Sequence, residues 1–128
     1  MAAMSNYLET ALINEVLRAT AFTAPTTVYV ALFTTDPTDA GTGTECTGTS
    51  YARQSATFAA PSNGASSTSA DINFPQAGNS WGTITHFGIF DALTTGNLLV
   101  HGALTTSKTI DTGDVFKIAS GSLTVTFA

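Results

Sequence analysis

Apolar and polar positions follow two different rhythms along this chain, and the change falls near Pro25. Before it, residues 5–20 (SNYLETALINEVLRAT) contain neither Gly nor Pro. Leu8, Leu12 and Val16 recur at i, i+4 and i+8 with Ala11 beside them, and Ile13 and Leu17 widen the stripe beyond the ~100° of an ordinary amphipathic helix. The spacing predicts a single helix over 5–20. Asn6 with Glu9 three residues on has the form of a capping box, and Ser5 is a competing cap. Glu9 near the start and Arg18 near the end both complement the helix dipole. A helix of this length is marginal alone in water, so its stripe must dock on its own domain or on a neighbouring chain.

After Pro25 the rhythm becomes that of strands. Residues 27–33 (TVYVALF) form an uninterrupted apolar run rich in β-branched and aromatic side chains, as expected of a strand covered on both faces. The run stops at a Thr35-Asp36-Pro37 turn signal. Residues 39–49 are Gly/Thr-rich and predict an exposed loop, residues 51–58 a strand, 61–70 a turn-forming connection, and 71–74 a short strand halted by Pro75. Residues 83–90 and 98–104 predict a hairpin around 91–97, where Gly96-Asn97 supplies turn chemistry. Two further strands follow, over 115–118 and 122–127, with a brief extended piece at 108–110. In the last strand Leu123, Val125 and Phe127 alternate with Ser122, Thr124 and Thr126, the period-two pattern of a strand wet on one side. About seven short strands separated by turns predict a mainly β chain. The expected fold is a compact antiparallel β-sandwich, jelly-roll-like or Ig-like, over 26–128, carrying one N-terminal α-helix within a single domain of residues 1–128.

Composition narrows the function. Only 10% of the 128 residues are charged and the net charge is −5, yet 24 Thr and 11 Ser keep the chain polar. An acidic chain with four basic residues lacks the clustered Lys and Arg that nucleic acid demands. No stretch approaches the ~18 apolar residues of a membrane-spanning helix, and the first residues lack the pattern of a secretory signal. The lone Cys46 excludes an internal disulfide and a cysteine-based zinc cluster, and it reads as an incidental exposed thiol.

No residue set announces a reaction. His86 and His101 lie on the two strands of the predicted hairpin, where cross-strand adjacency can bring them together. No Cys or carboxylate stands at matching short spacing, however, and a zinc site needs at least three protein ligands, so no metal is assigned. Asp36 with Asp39, and Asp111 with Asp114, are spaced three apart, but the calcium-loop pattern with its terminal Glu is missing and Asp is a common turn residue. A glycosidase needs two carboxylates about 5–9 Å apart, and nothing in the sequence pairs the candidates Asp71 and Asp91. Neither a nucleophile elbow nor a phosphate-binding glycine pattern is present. No catalytic residue and no cofactor is expected, and the chain reads as a non-enzyme.

A longer pattern is informative. Ser5-Asn6-Tyr7-Leu8-Glu9, Ala11-Leu12-Ile13-Asn14 and Val16-Leu17-Arg18 lead into Val28-Tyr29-Val30-Ala31-Leu32-Phe33-Thr34 and Asp36-Pro37-Thr38. Tyr51-Ala52-Arg53-Gln54, Trp81-Gly82-Thr83-Ile84-Thr85-His86 and Gly113-Asp114-Val115-Phe116-Lys117-Ile118 follow in order. This series resembles a group of small virion proteins of tailed bacteriophages, variously described as tail-fibre or capsid decoration proteins. The resemblance starts at Met4, which leaves residues 1–3 as the product of an upstream start. It implies a structural role in the virion, assembled in the host cytoplasm, and supplies no catalytic residues.

A low-charge, hydroxyl-rich surface suits such a role, because it can bond to neighbours without burying ions. The first expectation is a capsid decoration protein that clamps the major capsid protein where shell subunits meet, as a closed homo-oligomer, a trimer by the symmetry of such sites. The alternative is a tail or tail-fibre component with a receptor- or glycan-binding role. The candidate assembly residues are Leu8, Leu12 and Val16 as apolar anchors, Arg18 and Arg53 as partners for a carboxylate, and Trp81 as an interface anchor or sugar platform. Packing inside the same domain is the competing explanation for each apolar member.

Overall fold

A computed structural model describes residues 2–127. In chain order it contains β1 (Ala2–Met4), α1 (Asn6–Arg18), β2 (Val28–Phe33), β3 (Gln54–Ala56), β4 (Ala65–Ser67), β5 (Ile72–Asn73), β6 (Gly82–Phe90), β7 (Leu98–Ile110), β8 (Lys117–Ile118) and β9 (Thr124–Thr126). Five strands form one antiparallel sheet in the order β1-β7-β6-β2-β3, and the rest pair as two ribbons, β4-β9 and β5-β8. The mainly β class with one N-terminal helix is as expected. The jelly-roll-like or Ig-like sandwich is not confirmed, because the strands divide five, two and two rather than into two comparable sheets.

The sheet has two differently covered faces, and β2 shows why. Val30 pairs with Ile89 and Leu32 with Phe87, so these four point to one side; Ala31 opposite Gly88 and Phe33 opposite His86 point to the other. The first side carries the main core, where Val30, Leu32, Ile84, Phe87 and Ile89 meet Leu8 of α1, Trp81, and Ile72, Phe74 and Leu123 from the ribbon segments. The second side carries a small cluster of Ala31, Phe33, Phe90 and Leu98. The run 30–33 is buried throughout, as a strand covered on both faces must be.

Several boundaries differ from the sequence pattern for identifiable reasons. Ser5, not an Asn6–Glu9 box, caps the helix: its Oγ accepts from Leu8 N–H and also donates to the Leu98 carbonyl. The helix ends at Arg18, with Ala19 in the left-handed region and its N–H bonded to the Asn14 carbonyl, so the predicted 5–20 loses its last two residues. Ala2 and Ala3, which the resemblance left outside its span, form with Met4 the edge strand β1 on β7, with Ala3 opposite His101. The turn-forming 61–70 conceals β4, which has no apolar signal and exists because β9 offers it backbone partners. β7 is one strand of 13 residues, because a register irregularity opposite Thr85 absorbs residues 104–107 without breaking the pairing. Among the described residues no helix is long and apolar enough to cross a membrane.

Candidate functional site

The six residues singled out as an assembly surface separate into an inner and an outer set. Leu8 is buried in the main core. Trp81 is buried too: its indole N–H donates to the Thr49 carbonyl at 3.0 Å, and its ring meets Tyr51 edge-on at 5.5 Å. The backbone passes so close that a Cβ at Gly48 would stand 2.0 Å from the indole Cδ1. Trp81 is therefore a core residue here, which corrects its reading as interface anchor or sugar platform. An indole whose N–H finds an internal carbonyl gains more from burial than from facing water.

Arg53 is the second correction. Its side chain is 8% exposed and forks onto Glu45, with Nε 2.9 Å from Oε2 and a terminal nitrogen 2.8 Å from Oε1. The other terminal nitrogen donates to the carbonyls of Ala92 and Thr95 at 3.0 and 2.8 Å, and the guanidinium sits 3.7 Å from the centroid of the Phe90 ring. A buried cation survives only when its donors are satisfied in this manner. Tyr51 joins the network by donating to Glu45 Oε2 at 2.7 Å while accepting from Leu32 N–H at 3.0 Å. Burial and that bond to Glu45 push the Tyr51 hydroxyl far above its ordinary titration range. Arg53 is thus committed within the subunit and not available to a shell carboxylate.

The outer set lies on α1. Leu12 is half-buried against the core, whereas Val16 is 75% exposed and Arg18 is exposed, donating to Asn14 Oδ1 at 3.1 Å. Ile13 and Leu17, which the sequence reading treated as a widening of one stripe, are 55% and 76% exposed. At about 100° per residue, Ile13, Val16 and Leu17 span one arc, centred about 110° around the helix from the midpoint of Leu8 and Leu12. The helix therefore carries two apolar stripes, one docked and one open. Their overlap in the linear pattern hid the second.

The histidines and two of the aspartates, weighed separately in the sequence, meet on the second face of the sheet. His86 and His101 sit diagonally across β6 and β7, since His86 pairs with Ala103 and His101 with Gly88. The loop after β2 folds over them. Asp36 Oδ2 lies 4.0 Å from His86 Nε2, Asp36 Oδ1 lies 3.8 Å from His101 Nδ1, and Asp39 Oδ1 lies 2.8 Å from His101 Nε2. Among the described residues no group of three or more His, Cys, Asp or Glu side chains could hold a metal ion.

The remaining candidates serve local structure. Asp71 accepts from Ser120 N–H at 2.8 Å and pairs with Lys117 Nζ at 3.2 Å, and these contacts hold its carboxyl below the usual range. Asp91 accepts from both the backbone and side-chain nitrogens of Asn97, closing the β6–β7 turn. Asp114 accepts from Asp111 N–H within its own turn. Cys46, expected as an exposed thiol, is buried in the main core, where desolvation raises its pKa and makes it a poorer nucleophile. A groove of about 250 Å³ beside Leu8, Val28, Phe58, Ile89, Val125 and Phe127 is apolar and without a convergent polar group.

This arrangement can bind and assemble. A comparison with curated proteins finds no match. A family model described as Podophage GP4 fiber I protein gp80 matches residues 3–126. That span includes all of β9 and all of β1 but Ala2, so the match covers the sheet, both ribbons and the helix together. The chain belongs to the Podophage GP4 fiber I protein gp80 family, non-enzymatic structural proteins of the phage tail fibre and hence of the virion.

Proposed function

We propose that this chain is a tail-fibre subunit that works by contact alone, associating with further copies of itself through the open stripe of α1. The observation that carries the reading is the exposure of Ile13, Val16 and Leu17 together on one side of a helix whose other side is docked. A lone exposed leucine needs no explanation, but three adjacent large apolar side chains on one helix face are the mark of a contact surface. A closed cyclic arrangement of three copies lets each stripe meet two others around an axis, so that none remains wet. Leu12, half-buried against the core, flanks the stripe, and Arg18 lies exposed at its end.

The family favours this fibre reading over attachment to the head shell and the major capsid protein, which was the first expectation. Within the fibre, neighbouring tail proteins are the remaining class of partner, and receptor or glycan binding would fall to the exposed loops rather than to buried Trp81. Val16→Asp with Leu17→Asp tests the assembly directly. Light scattering should give the unsubstituted protein a mass near three times the 13.1 kDa subunit and the double variant a single-subunit mass with unchanged circular dichroism. A wild-type protein that stays a single subunit at high concentration, or a double variant that still assembles, would refute the proposal.

A further inference from the structure

The chain sets four basic side chains against nine carboxylates, and the four are not placed alike. Arg53 is committed to Glu45, and Arg18 stands at the end of α1. Lys108 and Lys117, the only two lysines, line one groove of about 400 Å³ walled by β7 and by β8 with the turn that follows it. No described carboxylate lines it with them. Lys117 pairs with Asp71 at 3.2 Å yet remains 51% exposed. Lys108 is exposed and has no ion pair among the described residues.

The β7 wall owes its shape to the register irregularity. In a regular strand successive side chains alternate between faces, so a run of neighbours does not line one surface. Opposite Thr85 the ladder takes up residues 104–107, and there Ala103, Leu104, Thr105 and Thr106 all border the groove. Bulges re-aim side chains in this way beside functional sites. Ser122 lines the groove from the turn after β8, which is held by Ser122 N–H on the Ala119 carbonyl at 3.0 Å and Ser120 N–H on Asp71 at 2.8 Å. The floor is apolar. Phe87 and Leu123 are buried, and half-buried Phe116 has its ring edge-on to Phe74 at 5.6 Å.

We propose that this groove binds a saccharide ring that bears a carboxylate, as an acidic polysaccharide presents it. The apolar C–H face of the ring rests on Phe116 and Leu104, its hydroxyls meet Thr105, Thr106 and Ser122, and its carboxylate lies between Lys108 and Lys117. Hydroxyl side chains both donate and accept, as sugar hydroxyls do. An apolar floor with a few polar groups at the rim is the general build of a small-ligand site. A nucleic acid, with one charge every ~1.7 Å, is repelled by a subunit of net charge −5, whereas a polymer with one carboxylate per ring brings far less charge to the surface. No wall of the groove comes from α1, so the proposal stands apart from assembly through the open stripe.

The test titrates the full chain with tetragalacturonate and with neutral maltotetraose, followed by protein NMR at low salt. Tetragalacturonate should bind saturably, with shifts centred on residues 103–108 and 116–123, and maltotetraose about tenfold more weakly. Lys108→Ala and Lys117→Ala should each weaken binding by about tenfold, the worth of one hydrogen bond to a charged group. Lys108→Arg, which keeps the charge, should retain most of the affinity. Arg18→Ala should change nothing, which separates the site from a general attraction of anions to basic side chains. Affinity should fall between about 0.05 and 0.5 M sodium chloride as the exposed rim charges are screened. Circular dichroism of each variant separates a lost site from a lost fold. Four results would each overturn the proposal: no saturable tetragalacturonate binding, equal binding of maltotetraose, undiminished binding by the Lys108→Ala/Lys117→Ala double variant, or tighter binding of a glutamate-rich peptide, which assigns the groove to a protein partner.

Discussion

Tyr51 shows how much of this fold is arranged around single polar atoms. Its hydroxyl donates to Glu45 and accepts from the backbone of Leu32, so β2 gains at its β3-side edge a partner that no strand supplies. The consequence is measurable at high pH. Below the ordinary tyrosine pKa of 10.0 the folded and unfolded chains both hold the proton, and the network contributes fully. Above it the unfolded chain releases the proton while the folded one keeps it, so the unfolded state binds fewer protons and stability falls as pH rises. Tyr51 alone gives a slope of about 1.4 kcal/mol per pH unit beyond that point. Cys46, whose pKa is raised mainly by burial, adds loss in the same direction from its ordinary 9.0. Urea unfolding across the alkaline range should show the decline, and Tyr51→Phe should flatten it while lowering stability at neutral pH, because Glu45 and Leu32 N–H lose a partner.

At the scale of elements, Arg53 is the joint between β3 and the β6–β7 turn. The two carbonyls it reaches, Ala92 and Thr95, belong to a loop that is otherwise closed by Asp91 and Asn97 alone. Arg53→Ala leaves Glu45 partly buried without its cation and frees the loop. Equilibrium denaturation should register a loss of about 3–5 kcal/mol, well above the usual cost of a surface ion pair. Arg53→Lys should recover only part of it, since a point charge cannot fork onto a carboxylate and two carbonyls at once. The helix follows the opposite logic. It is anchored at its N-terminal end by Ser5 and Leu8, and its C-terminal half carries apolar side chains that contribute little to the folding of the subunit.

Over the whole molecule the balance of charge and hydroxyl groups sets how assembly should respond to solution conditions. Only 10% of residues are charged, and the open stripe of α1 is apolar. Self-association through that stripe should therefore persist or strengthen between about 0.1 and 1 M sodium chloride, where the Debye length shrinks from ~10 to ~3 Å. Sedimentation velocity across that range checks it. An oligomer that dissociates as salt rises would point to Arg18 and the acidic loops as the contact instead.

The linear pattern alone was enough for the helix, for β2 and for the β6–β7 hairpin, because each depends on local periodicity or on residue types close in sequence. β1 and β4 were not legible, since Ala2–Met4 and Ala65–Ser67 carry no distinctive pattern and exist only where β7 and β9 present unpaired backbone. The same limit applies to side chains. Val16 and Leu8 look alike in a helical repeat, and only the docking of α1 decided that one is covered and the other wet. Arg53 was offered as a partner for an outside carboxylate, and Trp81 was left open between core, interface and sugar platform, until Glu45 and the Thr49 carbonyl, the latter 32 residues away along the chain from Trp81, drew both inward. His86, His101, Asp36 and Asp39 became a single cluster for the same reason. Periodicity reports which face a residue shares with its neighbours in the chain, whereas the partner waiting on that face is a property of tertiary packing.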